Sequence, residues 1–470
     1  MAKYKAYPEY KDSGVEWLGA IPRHWELSKL RYNFAFGKGL TITKENLRDE
    51  GIPCINYGEV HSKYGFEVDP RVHSLKCVDE KYLKDNGNSL LLNGDIVFAD
   101  TSEDLDGSGN FTQLISDARV FAGYHTIISR PLRRDSARFY AYLLDCQELR
   151  TQVRTAVKGV KVFSVTQAIL RNLSIWLPSE KEQNSIAAFL DHETAKIDIL
   201  IEKQQQLIEL LKEKSQAVIS HAVTKGLNPD VPMKDSSVEW LGEVPEHWDV
   251  IRLKYLISTF EQGWSPQCDA RLAEENEYGV LKVGCVNSGK FNPLEHKALP
   301  SNLEPQRQYL LKQNDLLISR ANTKELVGSS AVVDKNYDNL ILCDKLYRIK
   351  FRPSVSPYFI SEYLRTPFVR KQIELSASGA SHSMQNIGQD TIKELVVALP
   401  PENEVQLLIE FMQKEINAFN TLTDLSHLQI ALLQERRTAL ISASVTGKID
   451  VRDWVAPDTS EFEESEEATA

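Results

Sequence analysis

Residues 12–30, which open Asp12-Ser-Gly-Val-Glu-Trp-Leu-Gly19 and close Pro22-Arg-His-Trp-Glu-Leu-Ser-Lys-Leu30, return as residues 235–253 with eleven of 19 positions identical at an offset of 223. Leu177-Pro178 with Glu180 and Glu182 pairs with Leu399-Pro400 with Glu402 and Glu404, and Ile208 to Thr224 matches Ile430 to Thr446 at nine of 17 positions. Separate signatures at nearly one offset identify a tandem duplication with a period near 222. Whatever one half builds, the other builds too.

Between the matching flanks the halves differ. Residues 40–170 and 260–390 share only fragments, such as Gly94-Asp95-Ile96-Val97 beside Asn314-Asp315-Leu316-Leu317. Each half is a constant frame around a variable module, as suits one architecture presenting two specificities. In the modules, β-rich runs at Ser89–Ala99, Arg119–Ser129, Asp315–Arg320 and Leu340–Phe351 alternate with turn residues such as Asn93-Gly94. Helical patterns follow at Phe139–Val153 and Pro357–Glu374, so the modules are mixed α+β.

The frames also carry long helical segments. Lys181 to Ala222 lacks Pro and Gly, with Ile186, Phe189, Ile197, Leu200, Ile201, Leu207, Ile208, Leu211 and Val218 at helical spacing. Glu180 and Glu182 suit a first turn, and Gly226 lies past the end. Asn403 to Ser444 repeats the pattern, and Gly447 follows. Such segments make rods of roughly 60 Å, whose apolar stripes need a partner that the other repeat supplies. Antiparallel packing relates the halves by a pseudo-twofold axis with the modules at opposite ends. Two separate helices, each on its own module, are the alternative. A dyad suits duplex DNA, whose groove faces repeat about local dyads. The same geometry suits a scaffold presenting two protein-binding modules without DNA contact.

Length and composition set the class. The 470 residues imply several domains, and 42% hydrophobic with 26% charged residues is ordinary for a globular chain. No apolar run reaches the roughly 18 residues of a membrane span, and the first residues have no signal-peptide core. Six scattered cysteines without a CxxC pair argue against a disulfide scaffold or a cysteine zinc site and fit a cytoplasmic protein. The net charge is −11, but six carboxylates fall between Asp458 and Glu467, and without them it is −5. A local basic surface on the body remains compatible with that balance.

Catalytic signatures are missing. There is no GxxxxGK[ST] loop, no GxGxxG, and no Asn/Asp-Pro-Pro-aromatic tetrapeptide; Asn292-Pro293 is followed by Leu294. Asp/Glu-x-Lys triplets such as Glu9-Tyr10-Lys11 and Asp79-Glu80-Lys81 are expected by chance in so charged a chain, and the histidines form no HExxH or HxH group. The expectation is a binding subunit with no catalytic residues, no metal and no cofactor.

Three motifs carry a family resemblance: the duplicated WLGxxPxHW opening (Trp17 to Trp25, Trp240 to Trp248), the helix entry Leu177, Pro178, Glu182, Gln183, Ile186, and the helix exits Ala222-Val-Thr-Lys-Gly226 and Ser444-Val-Thr-Gly-Lys-Ile449. Together they resemble the specificity subunit of type I restriction–modification enzymes, over all but the acidic tail. The second entry departs from the pattern, with Val405-Gln406 where the first has Glu182-Gln183.

The resemblance implies two globular target-recognition domains separated by two long antiparallel coiled-coil helices. It implies double-stranded DNA as ligand, read as an asymmetric bipartite site. The implied partners are two modification (methyltransferase) subunits and two restriction (ATP-dependent endonuclease/translocase) subunits, with no membrane. The domains expected are 1–178 and 227–400 for recognition, 179–226 and 401–448 for the spacer helices, and 449–470 as an acidic tail.

Base readout needs side chains of fixed donor and acceptor geometry, while phosphates attract cations. Lys158, Lys161 and Ser164 lie on a Gly-containing loop of the first module; Ser381, His382, Ser383 and Gln385 occupy its counterpart. Arg320, Asn322, Thr323 and Lys324 leave a strand in the second module, where Arg320 suits guanine and Asn322 adenine. All eleven are candidate DNA contacts, the alternative being ordinary solvated loops. Ala99 to Asp104, the acidic counterpart of Ser319 to Lys324, fits a structural turn better. Arg130, Arg133, Arg134 and Arg370-Lys371 suit phosphate anchors or plain surface charges. Trp17, Trp25, Trp240 and Trp248 are frame residues.

Overall fold

Strand alternation places the cores. The computed structural model describes residues 4–15, 17–159, 161–381 and 384–456. The chain divides into two compact units, Met1–Gln204 with Leu428–Ala470, and Gln205–His427.

The first unit is built on a five-stranded sheet in the order Phe34–Lys38, Thr126–Pro131, Ile96–Ala99, Phe111–Leu114, Phe66–Val68. All its pairings are antiparallel except the last. Successive residues of Ile96–Ala99 point to opposite faces, so Ile96 and Phe98 join one core while Val97 and Ala99 join another. A four-stranded sheet containing Ile52–Ile55 and Val120–Ala122 contributes to the second core, and the helix Ala137–Asp145 to the first. The second unit repeats this scheme with Ile257–Gln262, Leu346–Phe351, Leu316–Ser319 and Ser330–Val332. There Leu316 and Ile318 enter one core and Leu317 the other.

Each central strand is entered by the same turn. Gly94 and Asn314 have φ of 87° and 68°, a region that Gly and Asn tolerate. Asp95 and Asp315 close the turns by accepting the Leu92 and Lys312 N–H groups, each at 2.9 Å. Arg134 pairs with Asp95 at 2.6 Å, while the second unit uses the buried Arg348, 3.5 Å from Asp315. Burial nevertheless holds the Asp315 carboxyl above its ordinary range.

The expected strands form, broken by turns, but the two shorter helical patterns each split. Ala137–Asp145 and Gln147–Ala156 are separated by Cys146, whose extended backbone starts a new helix. Pro357–Leu364 and Pro367–Ser376 are separated because Thr366 precedes a proline, which disfavours helical backbone there.

The two frame helices are unbroken, Glu180–Lys225 with 46 residues and Glu402–Val445 with 44. Gly226 and Gly447, at φ of 79° and 75°, terminate them. In the first unit, Ile186, Phe189 and Leu190 from the start of the first long helix share a core with Leu440, Ile441 and Val445 from the end of the second. In the second unit, Ile219, Ala222 and Val223 share a core with Val405, Leu408 and Met412. The boundaries of the compact units fall within both long helices.

The duplicated Trp motif seals these helix ends. The buried Trp25 donates its indole N–H to Glu182 at 3.0 Å, and His24 meets the same carboxylate at 2.9 Å. Tyr7 donates its hydroxyl to it at 2.6 Å, and burial together with that carboxylate pushes the Tyr7 hydroxyl well above its usual range. In the second unit Trp248 and His247 reach Glu404 at 3.1 and 2.8 Å. Glu404, one residue before Val405-Gln406, therefore occupies the place of Glu182, and the helix entries keep one register.

Ile449 to Val451, expected in a solvated tail, are instead packed. Ile449 and Val451 are buried, Asp450 donates its backbone N–H to the Lys5 carbonyl at 2.8 Å, and Tyr10 donates its hydroxyl to the Gly447 carbonyl at 2.9 Å. Trp454 meets Phe189 edge-on, with centroids 5.5 Å apart. Apolar residues on an acidic stretch find a core here; the carboxylates from Asp458 onward lie outside the described residues.

Candidate nucleic-acid interface

The candidate loops, far apart in sequence, are brought together in each unit. In the second, Ser378–Ser381 and Met384–Asn386 form a hairpin whose second strand pairs with Ala321–Asn322, matching Asn322 to Gln385. The Arg320 and Gln385 segments thus form one three-stranded platform; His382 and Ser383 lie outside the described residues. In the first unit, Lys158 bridges Ser164, closing a hairpin, and Phe163–Ser164 pairs with Thr101–Ser102. Gly159 permits that closure, since a Cβ there would lie 2.1 Å from the Val162 carbonyl oxygen.

Lys158, Lys161, Ser164 and Lys324 are exposed, and Arg320, Thr323 and Gln385 are half-buried. Among the described residues no ion pair holds Lys158, Lys161, Arg320 or Lys324. Asn322 is engaged within the chain: Nδ2 donates to Asn287 at 2.9 Å and Oδ1 accepts the Thr323 N–H at 2.9 Å. Each amide end keeps further capacity, one N–H and one lone pair, so adenine contact stays stereochemically open.

Other basic candidates are committed to the fold. Arg130 donates to the Asn88 and Leu90 carbonyls at 2.7 and 2.8 Å, Arg134 pairs with Asp95, and Arg133 lies 3.8 Å from Glu180. Arg370 donates to the Glu325 carbonyl at 3.0 Å, and burial lowers its guanidinium from the ordinary value. In the acidic stretch Asp104 accepts the Gly107 N–H, a structural turn as its composition suggests.

A cleft accompanies each platform. In the first unit, about 450 Å³ is lined by Lys44, Tyr57, Ser102, Tyr124, His125 and Val162 among others. In the second, about 520 Å³ is lined by Gln267, Lys282, Lys297, Asp344 and Lys345 among others. Burial, then the nearby Glu103, Asp104 and Asp100, raise the Tyr57 hydroxyl. The first surface is therefore mixed aromatic and acidic, the second cationic. Sequence reasoning passed over Tyr57, Tyr124, His125 and Lys345, because none lies in a motif and only the strand pairing brings them beside the platforms.

A family profile described as the type I restriction modification DNA specificity domain matches residues 22–210 and 245–441, most of the chain. The chain belongs to the type I restriction–modification specificity family. The EcoEI specificity subunit of Escherichia coli is 30% identical over 202 residues, a stretch covering 43% of this chain and 34% of that protein. The EcoKI specificity subunit of Escherichia coli strain K12 is 22% identical over 450 residues, covering 93% of this chain and 92% of that one. Among solved structures, the HsdS subunit from Thermoanaerobacter tengcongensis is similar at a TM-score of 0.50 and 16% identity, covering 91% of this chain and 98% of that chain. A chain from a study of complex assembly and conformational transition of the type I R-M system gives 0.65 at 15% identity, covering 90% and 98%. At such identities the likeness bears on fold alone.

Type I specificity subunits are non-catalytic DNA-recognition subunits. Among the described residues no group of His, Cys, Asp or Glu could hold a metal ion, and no helix is long and apolar enough to cross a membrane.

Proposed function

We propose that the chain reads an asymmetric bipartite site on double-stranded DNA in the cytoplasm, one half-site per compact unit. The observation that carries this reading is the recurrence of one platform, a short strand leaving the main sheet joined to a late hairpin, with different side chains in each unit. Lys158, Lys161 and Ser164 face the first half-site. Arg320, Asn322, Thr323, Lys324 and Gln385 face the second, and Ser381, His382 and Ser383 belong to the same set of DNA contacts.

The two long helices, 179–226 and 401–448, pair antiparallel and set the distance between recognition domains 1–178 and 227–400. Supporting this, the start of each helix shares a core with the end of the other. The family's partners complete the assembly: two modification subunits that methylate adenine and two ATP-driven restriction subunits. The host methylome with and without this chain tests the reading. A bipartite motif that vanishes without the chain is expected. Unchanged methylation, with no DNA footprint from the assembled complex, would favour a protein-binding scaffold.

A further inference from the structure

Backbone hydrogen bonds define equivalent positions in the two recognition surfaces more firmly than their divergent sequences do. The Asp100 N–H donates to the His125 carbonyl at 3.1 Å, as the Arg320 N–H donates to the Lys345 carbonyl at 2.8 Å. The Val165 N–H donates to the Asp100 carbonyl at 2.8 Å, as the Ile387 N–H donates to the Arg320 carbonyl at 3.0 Å. Asp100 and His125 thus stand where Arg320 and Lys345 stand. Both His125 and Lys345 line the cleft beside their platform.

The chemistry at these places is opposite. Arg320 and Lys345 offer donors only, which suit guanine O6 and N7 or a phosphate. In the first unit His125 Nδ1 lies 3.1 Å from Asp100 Oδ1. A carboxylate accepts, so the contact places a proton on Nδ1 and leaves Nε2 of the neutral ring as an acceptor. Among the described residues Nε2 has no hydrogen-bond partner, and the side chain is 61% exposed. His125 is held at φ of 53°, a left-handed conformation uncommon outside glycine that is found disproportionately at functional sites. Tyr124 meets its ring edge-on at 6.0 Å.

We propose that His125 is a base-reading residue of the first recognition surface, accepting through Nε2 from the exocyclic amino group of adenine or cytosine in the major groove, with Asp100 as the residue that positions it. The inference rests on the DNA-reading function proposed above. Its consequence is that the halves discriminate by opposite hydrogen-bond polarity at one equivalent place.

Long-read sequencing of DNA methylated by the complex with its modification subunits provides the test, comparing the unaltered chain with His125→Gly, Asp100→Ala and Asp100→Asn. Glycine accepts the left-handed backbone, so His125→Gly removes the ring without new strain. The expected result is loss of base preference, by roughly tenfold or more, at one position of one half-site. Asp100→Ala relaxes the same position, and Asp100→Asn, whose Oδ1 still accepts from Nδ1–H, restores it. An unchanged motif with either His125→Gly or Asp100→Ala, or changes in both half-sites, would overturn the proposal. Absence of any bipartite motif with the unaltered chain would instead strike the function on which it rests.

Discussion

Trp25 and Glu182, 157 residues apart, meet at 3.0 Å where the first long helix begins. Trp248 and Glu404 repeat the pairing at 3.1 Å in the second unit. The carboxylates differ in setting, however: the side chain of Glu182 is 4% exposed and that of Glu404 25%.

That difference gives an expected ranking. Glu182→Ala strands the Tyr7 hydroxyl and the Trp25 indole N–H in a buried site, at a cost of about 3 kcal/mol. Glu404→Ala, with water nearby, costs about 1 kcal/mol. Urea unfolding followed by tryptophan fluorescence measures both.

Arg348→Ala leaves the buried Asp315 with only Lys350, 4.0 Å away, as a cation, and costs about 3 kcal/mol near neutral pH. The sign of its pH dependence follows from the raised Asp315 carboxyl. A folded-state value above the unfolded one means the folded state holds that proton more readily. Stability from this group therefore falls as pH rises above 3.8, and further once Arg348 is gone. Denaturation at pH 4.5 and pH 7 should show a smaller loss for the variant at the lower pH.

Arg271, hydrogen-bonded to Glu277, holds that carboxyl down at about 2, from an ordinary 4.5. The pair contributes stability fully above pH 4.5 and loses it as pH falls towards 2. Glu277→Gln should flatten the acid limb of the unfolding curve over that window, lowering stability at pH 7 and changing little near pH 2.

The two surfaces should respond unequally to charge changes. Lys324→Gln and Lys345→Gln together should lower the steepness of log affinity against log salt by up to about 2. Glu103→Gln and Asp104→Asn, which remove repulsion in the first unit, should tighten binding. The chain alone, carrying a net charge of −11, should bind its site weakly, and the modification subunits should strengthen binding markedly. Gel-shift titrations across salt concentrations measure all three.

Exchanging residues 30–175 for the module of another specificity subunit should alter one half-site and leave the other. Methylated-motif mapping reads the outcome, and a change in both half-sites would contradict the modular reading.

The duplication and both long helices were legible because repeats and helical stripes are local patterns. Gly226 and Gly447 marked the helix ends for the same reason. The partners of Trp25 and Trp248 were not legible, since nothing in WLGxxPxHW specifies a carboxylate so far along the chain. The loop at Lys158 and the segment at Arg320 stood out by composition, yet their joining into platforms depends on strand pairings such as Asn322 with Gln385. Cys146 carries no helix-breaking signature, which is why the split beside it was hidden. Ile449 and Val451 were masked by the acidic residues that follow.

The knitting of Lys5 and Tyr10 to Asp450 and Gly447 fixes an order of maturation on the ribosome. Gln205–His427 is continuous and has its whole core once His427 has emerged. The other unit must keep its early strands waiting until Leu428 and the residues as far as Val451 are translated. A product of premature termination ahead of Leu428 would thus carry a finished second unit and an unfinished first, whose exposed strands invite proteolysis.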